Sequence, residues 1–238
     1  MSRHMACVLS LSILVAGANA GIVAYEGDAF PEAVGWTRVG TMDADRSLDN
    51  GWFVQSVDLG VWAPLPGGEQ DQYNRSLAEF AGTRGFFAEW RVQTDGPRSE
   101  IDGVAPASFV LGGERGISFH FTIAADLVRF LRDINDPIIW VDIDPAVPHT
   151  YRFEIYGDEF YRFTIDGSEI VSGVPEGFYP TSDSVIAWRA KSWYEPNTTR
   201  WDYIRFGTIV HEPATAAMLL AGAGVLVLCD RRRQRRVG

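Results

Sequence analysis

Asp142 and Asp144, in the run Trp140-Val-Asp-Ile-Asp144, are two carboxylates at strand spacing. On a β-strand the side chains of positions i and i+2 point to one face, so the two acids could project together. Paired carboxylates of this kind, one protonated and one ionised, are what hydrolysis of a glycosidic bond asks for. A strand end entering the turn at Pro145 accounts for the same residues as solvated acids. Glu89 stands in the aromatic run Phe86-Phe87-Ala88-Glu89-Trp90 and is a second candidate acid, although Arg91 nearby suits a surface carboxylate equally. His149 opens a predicted strand and His120 lies between Phe119 and Phe121, and no two histidines have metal-ligand spacing. No G-x-S-x-G elbow supports a serine nucleophile. Calcium, which takes carboxylate and carbonyl oxygens, has a candidate site at Asp43, Asp45 and Asp49, read as donors of one loop running to Asn50-Gly51. An acidic turn with Asx hydrogen bonds explains that loop as well. Catalysis is therefore not favoured.

The aromatic residues point to a different chemistry. Eight tryptophans stand in the chain, from Trp36 to Trp201. A flat aromatic face suits the C–H face of a sugar ring, while arginine and amide groups suit its hydroxyls. The stretch Ala187-Trp188-Arg189-Ala190-Lys191-Ser192-Trp193-Tyr194 brings both together. If Trp188 faces the core, alternation puts Arg189, Lys191 and Trp193 on the opposite face, and with Tyr194 they form the preferred glycan-binding patch. Tryptophans of packed sheets are nonetheless mostly core.

The chain has 238 residues, with 21 Lys+Arg against 31 Asp+Glu, a net charge of −10. That balance excludes a nucleic-acid binder, which needs clustered positive charge. Residues 1–20 carry Arg3, an apolar run from Met5 to Gly17 and then Ala18-Asn19-Ala20, the pattern of a signal peptide cleaved after Ala20. At the other end, His211-Glu212-Pro213 leads into an apolar stretch, Ala214 to Cys229, followed by Arg231, Arg232, Arg233, Arg235 and Arg236. Those 16 residues make about 24 Å of helix, a short membrane span, and the arginines hold its far end in the cytoplasm. This tail resembles the C-terminal sorting signal of the bacterial PEP-CTERM family. Glu212 and Pro213 match the second and third motif positions, and His211 stands where the family has its first proline. The resemblance implies recognition by an exosortase-type membrane protease, transient anchoring in the membrane and release to the envelope or extracellular polysaccharide. An ordinary tail anchor is the plainer alternative.

Between these ends lie residues 21–210. Setting aside Arg3 and the five tail arginines leaves 15 basic residues there; setting aside Glu212 and Asp230 leaves 29 acidic ones, so the exported part is at −14 and has no cysteine. Its pattern is all-β: alternating or β-branched and aromatic runs bounded by Gly, Pro, Asp and Asn. Expected strands are 22–26, 51–59, 86–93, 108–111, 117–124, 127–132, 138–143, 150–156, 159–165, 168–172, 185–190 and 201–210. The stretch 122–133 could also be an amphipathic helix, but the flanking β runs favour a strand. Gly157-Asp158 and Asp166-Gly167 are the turns of two consecutive hairpins.

The passage His149 to Val171, with its Asp166-Gly167 turn, and the closing Trp201-Asp-Tyr-Ile-Arg-Phe-Gly207 resemble the concanavalin A-like lectin and glucanase superfamily, which includes laminin G-like domains. That resemblance implies a jelly-roll sandwich of two antiparallel sheets, here flanked by the signal helix and the transmembrane helix. The glucanases of that superfamily place acids at three alternating positions, a pattern that Pro145-Ala146 interrupts. The resulting expectation is an exported, non-catalytic sandwich of the cell envelope or extracellular matrix that binds glycan. A polysaccharide hydrolase or lyase using carboxylates on the concave face, and a structural envelope protein binding another protein, are the alternatives.

Overall fold

The computed structural model describes residues 22–40, 44–57, 69–96, 107–112, 118–131, 138–144, 147–157, 159–174, 181–192 and 196–209. The expected signal peptide, transmembrane helix and sorting motif lie outside the described residues, as do Asp43, Trp193 and Tyr194. Among the described residues no helix is long and apolar enough to cross a membrane.

The strands form two antiparallel sheets. The first contains β1 (Ile22–Tyr25), β3 (Asp45–Asp49), β4 (Trp52–Val57), β6 (Gly85–Thr94), β11 (His149–Tyr156), β12 (Phe160–Ile165), β13 (Ser168–Gly173) and β15 (Asn197–Thr208). Its order is β13-β12-β11-β6-β15-β4-β3, with β1 also paired to β15. The second contains β2 (Thr37–Gly40), β5 (Glu69–Ser76), β7 (Ala107–Gly112), β8 (Ser118–Ile123), β9 (Leu127–Leu131), β10 (Ile139–Asp142) and β14 (Val185–Ser192), in the order β10-β9-β8-β7-β14-β5-β2. Strand, not helix, is thus the state of residues 127–131.

Alternation sets the core. Phe86, Ala88, Trp90 and Val92 of β6, and Tyr151, Phe153 and Ile155 of β11, point inward and are almost fully buried. They meet Phe109 of β7 and Phe119 and Phe121 of β8, with the Trp90 ring stacked on Phe109 at 3.9 Å between centroids. A second aromatic centre joins Trp188 to Tyr73 at 4.6 Å and to Trp201 at 4.8 Å. Trp36, Trp90, Trp188 and Trp201 are therefore core residues, which removes half of the tryptophans from any ligand role.

Between the sheets runs a buried polar relay. The Trp201 indole N–H donates to Gln55 Oε1 at 2.8 Å, and Gln55 Nε2 donates to Asp71 Oδ2 at 2.9 Å and to the Asp71 carbonyl at 3.0 Å. Arg38 Nε closes the relay on Asp71 Oδ1 at 2.5 Å. Gln55 and Asp71 are wholly buried, and their mutual bonds are what make that burial tolerable.

Two local features matter here, and the first corrects the reading of one loop from Asp43 to Gly51. Asn50 and Gly51, with φ of 51° and 83°, are the central pair of a two-residue hairpin turn joining β3 to β4, and Asp49 pairs with Trp52 across it. The acidic segment from Asp45 to Gly51 is thus a strand and its turn, not one loop of donors. The second is a bulge in β15 between Trp201 and Tyr203, which lets both Trp201 and Ile204 face the core. Gly27 (φ 67°) packs against this bulge: a Cβ there would lie 2.5 Å from the Asp202 carbonyl oxygen and 2.8 Å from that of Trp201. Only glycine fits.

Candidate functional site

The strand register aligns one row of side chains across the outer face of the second sheet. Gln72 lies opposite Arg189, Arg189 opposite Ser108, Ser108 opposite Thr122, Thr122 opposite Arg129 and Arg129 opposite Trp140. Trp188 is fully buried, so the alternation that seats it in the core turns Arg189 outward, as the sequence indicated. The guanidinium is held in place: Arg189 Nε donates to Ser108 Oγ at 2.6 Å and Nη1 to Gln72 Oε1 at 3.5 Å. Gln72 Nε2 in turn donates to Asn74 Oδ1 at 2.6 Å. At the far end the Arg129 guanidinium lies over the half-exposed Trp140 ring, 5.6 Å from its centroid.

His120 sits one row along, opposite Val110, with Nε2 2.6 Å from Ser118 Oγ. Burial, and then the positive charge of Arg189 and Arg129, hold its imidazole below the ordinary value, so it is neutral at neutral pH. Burial likewise lowers the Arg189 guanidinium, without removing its charge. Ser118 and His120 have the separation of a nucleophile and its base. Covalent catalysis also requires a second group that orients the imidazole, and among the described residues the one side-chain hydrogen bond of His120 is to Ser118.

The remaining sequence candidates fall elsewhere. Lys191 continues β14, its backbone opposite Gln70. Asp142 and Asp144 are exposed at the edge strand β10 and just beyond it, and the Asp144 carbonyl accepts a hydrogen bond from His149 Nε2. His149 Nδ1 lies 2.6 Å from Asp166 Oδ2, so this histidine clamps the β12–β13 hairpin to the start of β11. Asp45 and Asp49 stand at opposite ends of β3, four residues and about 13 Å apart in extended chain, too far to ligate one calcium ion. No group of three or more His, Cys, Asp or Glu side chains that could hold a metal occurs among the described residues.

Glu89 belongs to the outer face of the first sheet, where it accepts from Arg152 Nη1 at 2.9 Å. Arg152 also donates to Glu154, which Arg162 grips from β12. Burial pushes the Glu154 carboxyl upward, but the hydrogen bonds from the two arginines outweigh it and keep the group below its usual value. Arg91 pairs with Asp202 and Arg205 with Glu26. This face spends its carboxylates on its own arginines.

Gln72, Ser108, Ser118, Thr122 and Arg129 were not singled out from the sequence. They become neighbours only through strand pairing, and each is an ordinary outward residue of its own strand.

Comparison with known proteins bears on the architecture. The chain is similar in structure to a prokaryotic β-1,3-1,4-glucanase (lichenase) derived from a mouse hindgut metagenome, at 13% identity and a TM-score of 0.54, over 79% of this chain and 99% of that one. It is similar to the β-glucanase of Bacillus licheniformis, at 12% identity and a TM-score of 0.53, over 80% of this chain and all of the other. The fold is thus an all-β sandwich of two antiparallel sheets, the jelly roll of these glucanases. The same jelly roll covers 80% of this chain and all of a carbohydrate esterase from the Shiga toxin-encoding bacteriophage phi24B, at 11% identity and a TM-score of 0.54. No protein-family model matches the chain, and no curated protein matches it. At these identities the likeness concerns the jelly roll alone. The outward positions of β7, β8 and β14 in this chain include Ser108, Ser118, His120, Thr122 and Arg189, with no carboxylate among the described ones.

Proposed function

We propose that this protein is an exported, non-catalytic jelly roll of the bacterial cell envelope or extracellular matrix that binds glycan on the outer face of its second sheet. In this reading residues 1–20 direct export, and residues 211–238 anchor the chain transiently until an exosortase-type protease acts on the tail. The observation that carries the glycan assignment is the row Gln72, Arg189, Ser108, Thr122, Arg129 and Trp140. It crosses six neighbouring strands, about 24 Å at the usual inter-strand spacing, and offers amide, hydroxyl and guanidinium groups with a tryptophan at one end, while the buried Ser108 holds the Arg189 guanidinium from beneath. That is the composition of a surface that reads hydroxyls along a polymer. A solved glucanase and a solved carbohydrate esterase with this fold act on carbohydrate, which fits the assignment without supplying it.

Cleavage of the glycan would call for a pair of acids on this face. The described carboxylates nearest the row, Asp142 and Asp144, lie beyond Trp140 at the sheet edge, and β7, β8 and β14 carry none among their described outward positions, which favours binding over cleavage along the row. The test is affinity electrophoresis of the full chain in gels of neutral and acidic polysaccharides, with a reducing-sugar assay on the same mixtures. Retardation by at least one polysaccharide, reduced about tenfold in Arg189→Ala, and no new reducing ends are expected. Unretarded migration in every gel refutes the glycan reading, and steady release of reducing ends refutes the non-catalytic one.

A further inference from the structure

The polar row does not stop at Gln72. Through the Gln72–Asn74 hydrogen bond of 2.6 Å it continues into an open groove of about 460 Å³ at one corner of the second sheet. Thr37 of β2, Asn74 and Ser76 of β5, and Val185 of β14 form its floor, and Arg75 and Glu79 stand at its wall. The register explains the floor: Asn74 lies opposite Thr37 on one side and Ala187 on the other, while Ser76 lies opposite Val185. The groove therefore lies at the corner where β2 begins: Asn74, Ser76 and Val185 belong to the face of Arg189, while Arg75, of the opposite alternation, closes it from the inner side over Phe206.

Its chemistry is that of a neutral, hydroxyl-rich ligand. Asn74 Oδ1 already accepts from Gln72, which leaves the amide nitrogen to donate. Ser76 Oγ accepts the Ala78 N–H at 3.1 Å, which leaves its own O–H to donate. Arg75 is fixed by donation from Nη1 to the Val34 carbonyl at 2.9 Å, and its Nη2 lies 3.8 Å from Glu79 Oε1, so the wall carries one charge of each sign. Val185, 38% exposed, supplies an apolar patch on which the face of a ring can rest. The volume is at the lower end of small-ligand sites, room for one sugar ring or two but not for a long segment.

We propose that this groove is a chain-end subsite, taking the terminal pyranose of a neutral polysaccharide whose next residues lie along the row from Gln72 to Arg189. The proposal rests on the glycan reading and adds a direction to it: the polymer is held by its end, not at mid-chain.

The experiment uses the full chain, with cellotetraose, laminaritetraose and a mixed-linkage glucan tetraose as probes beside the corresponding long polymers. Binding is measured by calorimetry for the wild type and for Val185→Trp, which fills the groove, and Asn74→Ala, which removes its amide. Unfolding midpoints are recorded for each to establish that the fold is kept. Affinity for polymer that tracks the concentration of chain ends and not the mass of glucan, with at least a tenfold loss in both folded variants, supports the subsite. Affinity that tracks mass, or unchanged binding in the folded variants, overturns it and leaves the glycan reading standing. A wild type that binds none of these probes overturns the neutral chain-end subsite; if it is nonetheless retarded by an acidic polysaccharide, the glycan reading survives without it.

Discussion

Replacing Gln55 by leucine should cost more than any surface change to this protein. The side chain is fully buried and makes three hydrogen bonds, two to Asp71 and one from the Trp201 indole. Leucine nearly preserves the volume, so little of the effect is a cavity. What changes is that the Trp201 N–H and one Asp71 carboxylate oxygen lose their partner inside the sandwich. An orphaned neutral group costs about 1–3 kcal/mol and a charged one more, which places the loss at about 3–5 kcal/mol. For a domain of this size that corresponds to a fall of about 10 °C in the unfolding midpoint. Thermal and urea unfolding of Gln55→Leu measure it directly. Trp201→Phe supplies the control: in the Gln55→Leu background its added cost should fall by the value of the indole hydrogen bond, about 1–2 kcal/mol. A midpoint within 2 °C of wild type, or strictly additive costs in the double variant, would refute the relay as a stabilising link between the sheets.

Gly27→Ala should destabilise by about 3 kcal/mol or more, read as a lower urea midpoint, because the new Cβ meets backbone oxygens of the β15 bulge from a positive φ. Glu154→Gln tests the ion-pair lattice through pH. Because the folded carboxyl titrates below its ordinary 4.5, its stabilisation is present above that value and is lost as the pH falls through the lower folded one. The variant should therefore be less stable than wild type at neutral pH and approach it in acid, a convergence followed by urea midpoints from pH 7 downward.

How much of this was legible in advance depends on the side chains that face inward. The strands from His149 to Gly173 were clear because Tyr151, Phe153 and Ile155 alternate with polar residues and Asp166-Gly167 closes a hairpin, and the structure gives that pair φ of 49° and 78°. The polar β5 gave no such signal. Its inward positions include Asp71 and Tyr73, and an inward aspartate is intelligible only once Gln55 and Arg38 stand beside it. β3 was missed for a related reason, since its exposed Asp45 and Asp49 look like ligands and the turn at Asn50-Gly51 looks like more of the same loop. Arg189 was found because its neighbour Trp188 announces which face is core. Its partners Ser108 and Gln72 are 81 and 117 residues away, and nothing local ties them together. Pairing across strands is a property of the whole sheet, and it assembled the site.

The position of β15 has a mechanical consequence. The strand leads toward the segment read as a tether, yet it is not at a sheet edge: β6 holds it on one side, β4 and β1 on the other, and the Ile209 N–H still donates to the Gly85 carbonyl at 2.9 Å where the strand ends. A pull directed along β15, as when a matrix polymer drags on an anchored sandwich, must shear these ladders together instead of peeling them one bond at a time. Were the tail to tether the chain as proposed, the protein would be gripped by its most deeply interleaved strand, and the load at which that grip failed would be set by backbone pairing, not by the ligand.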